Sequence, residues 1–145
     1  MSVDKADIMR EFVQCFETKD IEKALSFCTD DIVWETPLGT FKGKEEVIRY
    51  LKWNEKTIKD GKFTESGIGI LVQGDKAFFE HKFTGIIQGE NVSFLAICTY
   101  EFSGEKINKL RTVFDRLSIA EQATNKWLPK KLVSSIVSQL QKGLD

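Results

Sequence analysis

The sequence predicts a single α+β domain in which helices pack on one face of a curved antiparallel sheet. Two observations support this fold class. Apolar residues follow helical spacing in the first part of the chain, and long strand patterns separated by short glycine-containing turns follow it. An order in which helices come first and strands follow favours the α+β class over an α/β fold of alternating strands and helices. The chain has 145 residues, 41% of them hydrophobic, which suffices for one domain with its own core.

Helices are expected in the first 60 residues and again at the C-terminus. Asp4 and Asp20 are suited to cap two helices, because their side chains can accept hydrogen bonds from the first turn. A third helix follows Gly43 and should end near residues 59–61. After Ser118 the chain is expected to be helical again, and Pro129 marks a new helix start in this tail.

Strand patterns occupy most of the remaining sequence. A short strand is expected just before Pro37, and the longer strands are separated by two- to four-residue turns that imply hairpins and a meander. The predicted strands cover Ile32–Thr36, Glu65–Gln73, Lys76–Ile87 and Val92–Phe102, and a last strand leads into Asp115.

Charge and hydropathy exclude several classes of partner. The net charge is −1 with acids and bases interleaved, and no basic face indicates nucleic acid. No signal core is present at the N-terminus and no segment approaches a membrane span, so no membrane partner is expected. Cys15, Cys28 and Cys98 are far apart and embedded in apolar runs, which predicts buried free thiols in a reducing cytoplasm. We expect neither a metal site nor a cofactor, since ligand clusters and phosphate-binding loops are missing from the sequence.

Asp115 is the first candidate for chemistry, because it ends an apolar strand. Arg111, Val113 and Asp115 share one strand face by the two-residue period. A carboxylate there must stay solvated, find a partner or lie in a cavity, where it can serve in acid–base catalysis. Two alternatives remain: Asp115 pairs with Arg111 or Arg116, or it caps the helix near Ser118.

His81 is the second candidate and the only histidine in the chain. It shares a mostly apolar strand face with Phe79 and Phe83, so we expect it to point inward. It is either a proton-transfer group or ligand donor near Asp115, or a core histidine satisfied by a neighbouring group. Further candidates for binding an apolar ligand are Trp34, Arg111, Tyr100, Phe79, Phe83, Val113 and Phe12. The orientation of Tyr100 stays open, because a bulge inverts strand parity.

Three segments in this order resemble the nuclear transport factor 2-like superfamily, and within it the SnoaL-like branch. They are Asp30–Leu51, Gly74–Gly85 and Tyr100–Leu117. The resemblance implies a cone-shaped fold, with a bent sheet wrapped around an apolar pocket that helices cap, and dimerisation through the outer sheet face. It assigns residues 1–122 to a SnoaL-like domain and residues 123–145 to an amphipathic helical extension of that domain.

The resemblance relates three known chemistries of this fold to particular positions of this chain. Ketosteroid isomerases carry a catalytic aspartate before a proline, where this chain has Thr36. Limonene epoxide hydrolases use an Arg-x-Asp pair, where this chain has His81 and Phe83. SnoaL-like polyketide cyclases use one aspartate on the last strand, and Asp115 resembles that residue.

The resemblance leaves two functional hypotheses, because this fold hosts both enzymes and non-catalytic proteins. The first is a cofactor-independent cyclase, isomerase or hydrolase for an apolar carbonyl-bearing substrate, with Asp115 as acid/base. The second is a non-catalytic ligand-binding or dimeric interaction module. Four arrangements of the C-terminal tail remain open: packing on its own domain, covering the pocket, exchange between protomers, and docking on a membrane. Packing or dimer contact is favoured, because its polar face is not strongly basic.

Overall fold

The computed structural model describes residues 3–144 of the protein. Over this range the chain forms five α-helices and six β-strands, so the predicted α+β class is confirmed. In chain order they are α1 (Lys5–Thr18), α2 (Ile21–Ser26), β1 (Cys28–Thr36), β2 (Gly39–Lys42), α3 (Gly43–Thr57), β3 (Ile58–Gln73), β4 (Lys76–Ile87), β5 (Glu90–Ser103), β6 (Lys106–Phe114), α4 (Arg116–Ala123) and α5 (Trp127–Leu140).

The first two helices begin where the sequence predicts. Asp4 caps α1 by accepting a hydrogen bond from the backbone N–H of Ala6, and Asp20 caps α2 by accepting one from Lys23. Helix α1 ends at Lys19, whose φ of 58° reverses the chain in the left-handed region. The apolar positions of α1 then bury Met9 and Phe12 almost completely against the sheet.

The six strands form one curved, unclosed sheet in the order β2-β1-β6-β5-β4-β3. Strands β3 to β6 pair antiparallel as a meander, in agreement with the predicted hairpins. Strand β1 pairs with β6 in parallel, which brings the beginning of the chain to the end of the meander. This pairing places the helices α1–α3 over the inner face of the sheet.

The structure differs most from the predicted elements at β2 and β3, and β1 also begins at Cys28 instead of Ile32. Strand β2 was not predicted; it forms a hairpin with β1 across the turn that follows Thr36. Strand β3 begins at Ile58, well before the expected Glu65, because the expected turn is a bulge in which Asp60 adopts φ 49°. A bulge allows a strand to continue through residues that otherwise indicate a turn.

The main core lies between the first three helices and the inner sheet face, and its most completely buried residues include Ile32, Val47 and Ile107. A smaller cluster of Phe83, Val92 and Ala123 lies under α4. Gln122 fixes α4 to β5, because its side-chain amide accepts a hydrogen bond from the N–H of Ser93 and donates one to the carbonyl of the same residue.

The C-terminal helix α5 packs against α4. It contains no buried residue, so within the described chain the expected packing of the tail is limited to this contact with α4. Its half-buried residues are Val133 and Val137. Within residues 3–144, none of the helices combines the length and apolar character needed to cross a bilayer.

Candidate functional site

A cavity of about 530 Å³ lies between the helices and the inner face of the sheet. Aromatic side chains from α1, β1, β3, β4 and β5 form much of its wall: Phe12, Phe16, Trp34, Phe63, Phe83 and Phe94. The rings contact one another; Phe12 and Phe16 each lie 5.7 Å from Trp34, measured between ring centroids. The wall is therefore predominantly apolar.

The sheet contributes alternate residues of three neighbouring strands to this cavity. Ala96 of β5 lies between His81 of β4 and Phe114 of β6 in the strand register. Because Ala96 has only a methyl side chain, the two larger neighbours stand beside an open space. Side chains on the inner face of β4, β5 and β6 that line the cavity are His81, Phe83, Phe94, Ala96, Cys98, Tyr100, Leu110, Thr112 and Phe114.

His81 is the most unusual polar group in this wall. The residue is 2% exposed and its ring lies 4.7 Å from that of Phe79 and 5.4 Å from that of Phe63. Burial lowers the pKa of His81 to about 4, and a smaller effect of the Phe79 backbone opposes this. The imidazole is therefore uncharged at neutral pH. Its Nδ1 atom is buried without a partner in hydrogen-bond geometry among the described residues.

The other inward-facing polar groups are partly satisfied within the wall. Trp34 Nε1 donates to Thr112 Oγ1 at 2.9 Å, and Thr112 Oγ1 lies 3.4 Å from Cys98 Sγ. Burial raises the pKa of Cys98 to about 11, and it raises the pKa of Tyr100 well above its ordinary value. Thiol and phenol both remain protonated at neutral pH, so neither supplies an anionic nucleophile.

Carboxylates are confined to the exposed part of the cavity lining. The acids in the lining are Glu17, Asp20, Glu55 and Asp60, and each is solvent-exposed. Glu17 accepts a hydrogen bond from the backbone N–H of Phe63, which fixes this side chain at the β3 bulge. The buried part of the wall thus holds a neutral imidazole and no carboxylate among the lining residues.

Asp115 lies outside this cavity, contrary to the prediction that it shares a pocket with His81. It is exposed and caps α4, since its Oδ1 accepts hydrogen bonds from the N–H groups of Leu117 at 2.9 Å and Ser118 at 3.3 Å. The physical reason is the parity of β6: Thr112 and Phe114 face inward, so the alternate positions and the residue that ends them face out. The alternative of a helix cap, left open by the sequence, is the one observed.

Two further predicted pocket residues lie on the outer face of β6. Arg111 is exposed and its Nε lies 2.5 Å from Glu35 Oε2, and the Arg111 guanidinium holds the pKa of Glu35 below its ordinary value. Val113 is 56% exposed. Phe79 is buried in the core behind His81 and does not line the cavity. These three placements correct the predicted ligand-binding set.

The structure brings the other predicted residues together around one space: Phe12, Trp34, His81, Phe83 and Tyr100 all line the cavity. The sequence-based prediction missed Thr112, Cys98 and Phe63. For Thr112 a signal existed, because Leu110, Thr112 and Phe114 form a more apolar face of β6 than Arg111, Val113 and Asp115. Phe63 was missed because the start of its strand was placed too late.

Groups of three or more His, Cys, Asp or Glu side chains able to hold a metal ion do not occur in the described part of the chain. The three cysteines, Cys15, Cys28 and Cys98, are buried and free.

The chain belongs to the SnoaL-like domain family, which it matches over residues 9–110. The resemblance inferred from the sequence is thereby confirmed. No significant match was found among curated protein sequences.

Solved structures with the same fold include several NTF2-like proteins. An NTF2-like protein of unknown function from Burkholderia pseudomallei K96243 has a TM-score of 0.75 at 17% identity, covering 84% of this chain and 99% of that one. A protein with a ketosteroid isomerase-like fold from Catenulispora acidiphila DSM 44928, in complex with trimethylamine, has a TM-score of 0.73 at 16% identity, covering 80% of this chain and 91% of that one. TerC, co-crystallised with polyporic acid, has a TM-score of 0.72 at 16% identity, covering 81% of this chain and 96% of that one. At these identities the likeness establishes the fold alone.

Proposed function

We propose that this SnoaL-like protein binds an uncharged, largely apolar small molecule in the cavity and that His81 forms a hydrogen bond with the polar group of that ligand. The observation that supports this most directly is the position of His81, whose imidazole is buried in an aromatic wall and lines the cavity. A ligand carbonyl or hydroxyl that enters this wall loses its hydrogen bonds to water, which has a free-energy cost, and the imidazole is the polar group that can replace them.

Binding without catalysis is favoured over the cyclase, isomerase or hydrolase hypothesis. Asp115, which that hypothesis requires as acid/base, is an exposed helix cap. A catalytic role for His81 is the second candidate, since the residue lines the cavity. Its pKa of about 4 makes it a weak base at neutral pH, because proton transfer is most effective when the pKa lies near the working pH.

Two structural relatives support a small-molecule ligand. One was solved with trimethylamine and another with polyporic acid. A cavity of about 530 Å³ is within the usual range for small-molecule sites, which are mostly apolar with a few polar groups that orient the ligand. In this chain the buried wall offers no charge to compensate a ligand ion, so a neutral ligand is preferred.

We further propose that the protein forms a homodimer through the outer face of the sheet and works in a reducing, cytoplasmic environment. Exposed aliphatic side chains lie on that face in several strands, among them Leu71 of β3, Leu95 of β5 and Val113 of β6. Surfaces of this kind are typical of interfaces. The free thiols of the three buried cysteines are compatible with a reducing compartment.

Isothermal titration calorimetry with 2-naphthol, naphthalene and 2-naphthoate tests the proposed binding. We expect 2-naphthol to bind more tightly than the anionic 2-naphthoate. His81→Phe should weaken 2-naphthol by about tenfold, the effect of one hydrogen bond, and leave naphthalene unchanged. Equal losses for naphthol and naphthalene would refute the role of His81, and no binding of any probe would refute the pocket function.

A filling variant separates cavity binding from surface binding. Ala96→Phe occupies the cavity from the inner face of β5, whereas Thr99→Phe places the same ring on the exposed outer face of the same strand. Only Ala96→Phe should abolish 2-naphthol binding. If it does not fold, Ala120→Phe fills the same cavity from α4.

A further inference from the structure

Helix α5 carries an apolar stripe that no described residue covers. Leu128, Leu132, Ile136 and Leu140 follow one another at four-residue intervals, which places them along one side of the helix. Their exposed fractions are 56%, 57%, 50% and 69%. The half-buried Val133 and Val137 flank this stripe, so α4 covers at most its edge.

The charge of the same segment is all of one sign. Between Gln122 and Leu144 the sequence contains four lysines, at positions 126, 130, 131 and 142, and no acid, although the chain as a whole has a net charge of −1. Two of these lysines, Lys130 and Lys131, lie on α5 itself. Lys131 lies over the ring of Trp127, with Nζ 5.3 Å from its centroid, and this indole is 73% exposed.

We propose that α5 docks on an anionic lipid surface, with its apolar stripe in the interfacial layer and its lysines toward the lipid phosphates. A helix that presents exposed aliphatic residues beside lysines matches such a surface in both hydrophobicity and charge. Pairing of α5 with the α5 of a second copy would match only the hydrophobicity, because the lysines of the two helices would then face each other without a carboxylate between them.

This proposal departs from the sequence-based expectation that the tail makes packing contacts and that no membrane is engaged. That expectation rested on the usual packing of an aliphatic helix face and on a polar face that is not strongly basic, whereas the structure leaves the aliphatic face exposed beside the lysines. The match to the SnoaL-like family ends at residue 110, so α5 is an addition to the part of the chain that defines the family. Docking would also hold the cavity near the bilayer, since Ile119, Ala120 and Ala123 of the adjoining α4 line it.

Co-sedimentation of the full chain with lipid vesicles tests this inference independently of the pocket. We expect binding to phosphatidylcholine vesicles that contain about one-third phosphatidylglycerol, and at least tenfold weaker binding to phosphatidylcholine alone. An ionic strength of about 0.5 M should reduce the binding to the anionic vesicles. Absence of binding to anionic vesicles, or equal binding to both kinds, would overturn the proposal.

Two pairs of substitutions and one control locate the surface. Leu132→Ser with Ile136→Ser, and separately Lys130→Gln with Lys131→Gln, should each weaken binding by about tenfold. Val3→Ser with Ile68→Ser removes comparably exposed aliphatic side chains that lie outside α5 and should leave binding unchanged. If the α5 stripe variant binds like the parent, the proposal fails. It also fails if that variant changes only the oligomeric state without lipid, because the stripe is then an interface between copies.

Discussion

Trp34 and Thr112 are joined by a hydrogen bond across the inner wall of the cavity, from the indole Nε1 on β1 to Oγ1 on β6 at 2.9 Å. Trp34 is 4% exposed, so its indole N–H has little access to water. Thr112 is therefore the acceptor that allows an indole to lie in an apolar wall without an orphaned donor.

Thr112→Val should destabilise the protein by roughly 1–3 kcal/mol, because it keeps the shape of the side chain but leaves the Trp34 donor unsatisfied. Urea unfolding followed by far-UV circular dichroism measures this change. Thr99→Val on the exposed face of β5 is the matched control, with an expected effect within about 0.5 kcal/mol. Equal effects of the two substitutions would show that the hydrogen bond contributes little.

The stability of the protein should depend on pH through His81. Burial lowers its pKa to about 4, whereas the unfolded chain has the ordinary value of 6.5. Between these values the unfolded chain binds more protons, so stability rises with pH. The contribution is complete above about pH 6.5 and is lost as the pH falls toward 4, by up to roughly 3 kcal/mol.

His81→Phe isolates this contribution from that of the carboxylates. As the pH falls from 7.5 to 4.5, the unfolding free energy of the parent should decrease more than that of the variant. Parallel pH profiles would mean that His81 is not buried in its uncharged form. At neutral pH the variant should be at least as stable as the parent, because Phe has no unpaired Nδ1.

Asp115 should behave as a helix cap in mutational tests. Asp115→Ala should cost roughly 1 kcal/mol of stability, whereas Asp115→Asn should be nearly neutral, because asparagine caps about as well as aspartate. Neither should alter the affinity of a ligand in the cavity. A loss of ligand binding or of a measured activity in Asp115→Asn, with unchanged stability, would show that the Asp115 carboxylate belongs to the functional site.

The proposed dimer can be tested at two exposed positions on the outer sheet face. Leu95→Lys with Val113→Lys should convert a dimer to a monomer in light scattering at micromolar concentration, since like charges then oppose each other. The unfolding midpoint of the isolated subunit should change little, because both side chains are more than half exposed. A parent protein that is monomeric under the same conditions would contradict the dimer.

Most of the fold could be predicted because local signals agree with the tertiary structure. Asp4 and Asp20 cap helices, and β4 has the predicted bounds Lys76–Ile87 because turns enclose it on both sides. The errors lie where tertiary pairing overrides a local signal. The bulge at Asp60 continues β3 through an apparent turn, and β2 is too short to show a pattern of its own.

The site was predicted in part because strand parity fixes which residues can meet. Parity placed Phe79, His81 and Phe83 on the inner face of β4, and all three are buried. In β6 the same rule allows either face of the strand to point inward. The prediction chose the face that carries the carboxylate of Asp115 over the more apolar face. Apolarity decides the orientation, because burial of Phe114 and Leu110 stabilises the fold whereas burial of a charge has a large cost.

The parallel pairing of β1 with β6 has a consequence for the order of folding. It joins residues as distant as Glu35 and Arg111, which are 76 positions apart, whereas the β4–β5 hairpin is local. Loop closure makes such distant contacts slow to form, so we expect the hairpin to form early and the cavity to be complete only late. A ligand in that cavity would then slow unfolding and leave the refolding rate nearly unchanged, which identifies the cavity as a determinant of kinetic lifetime.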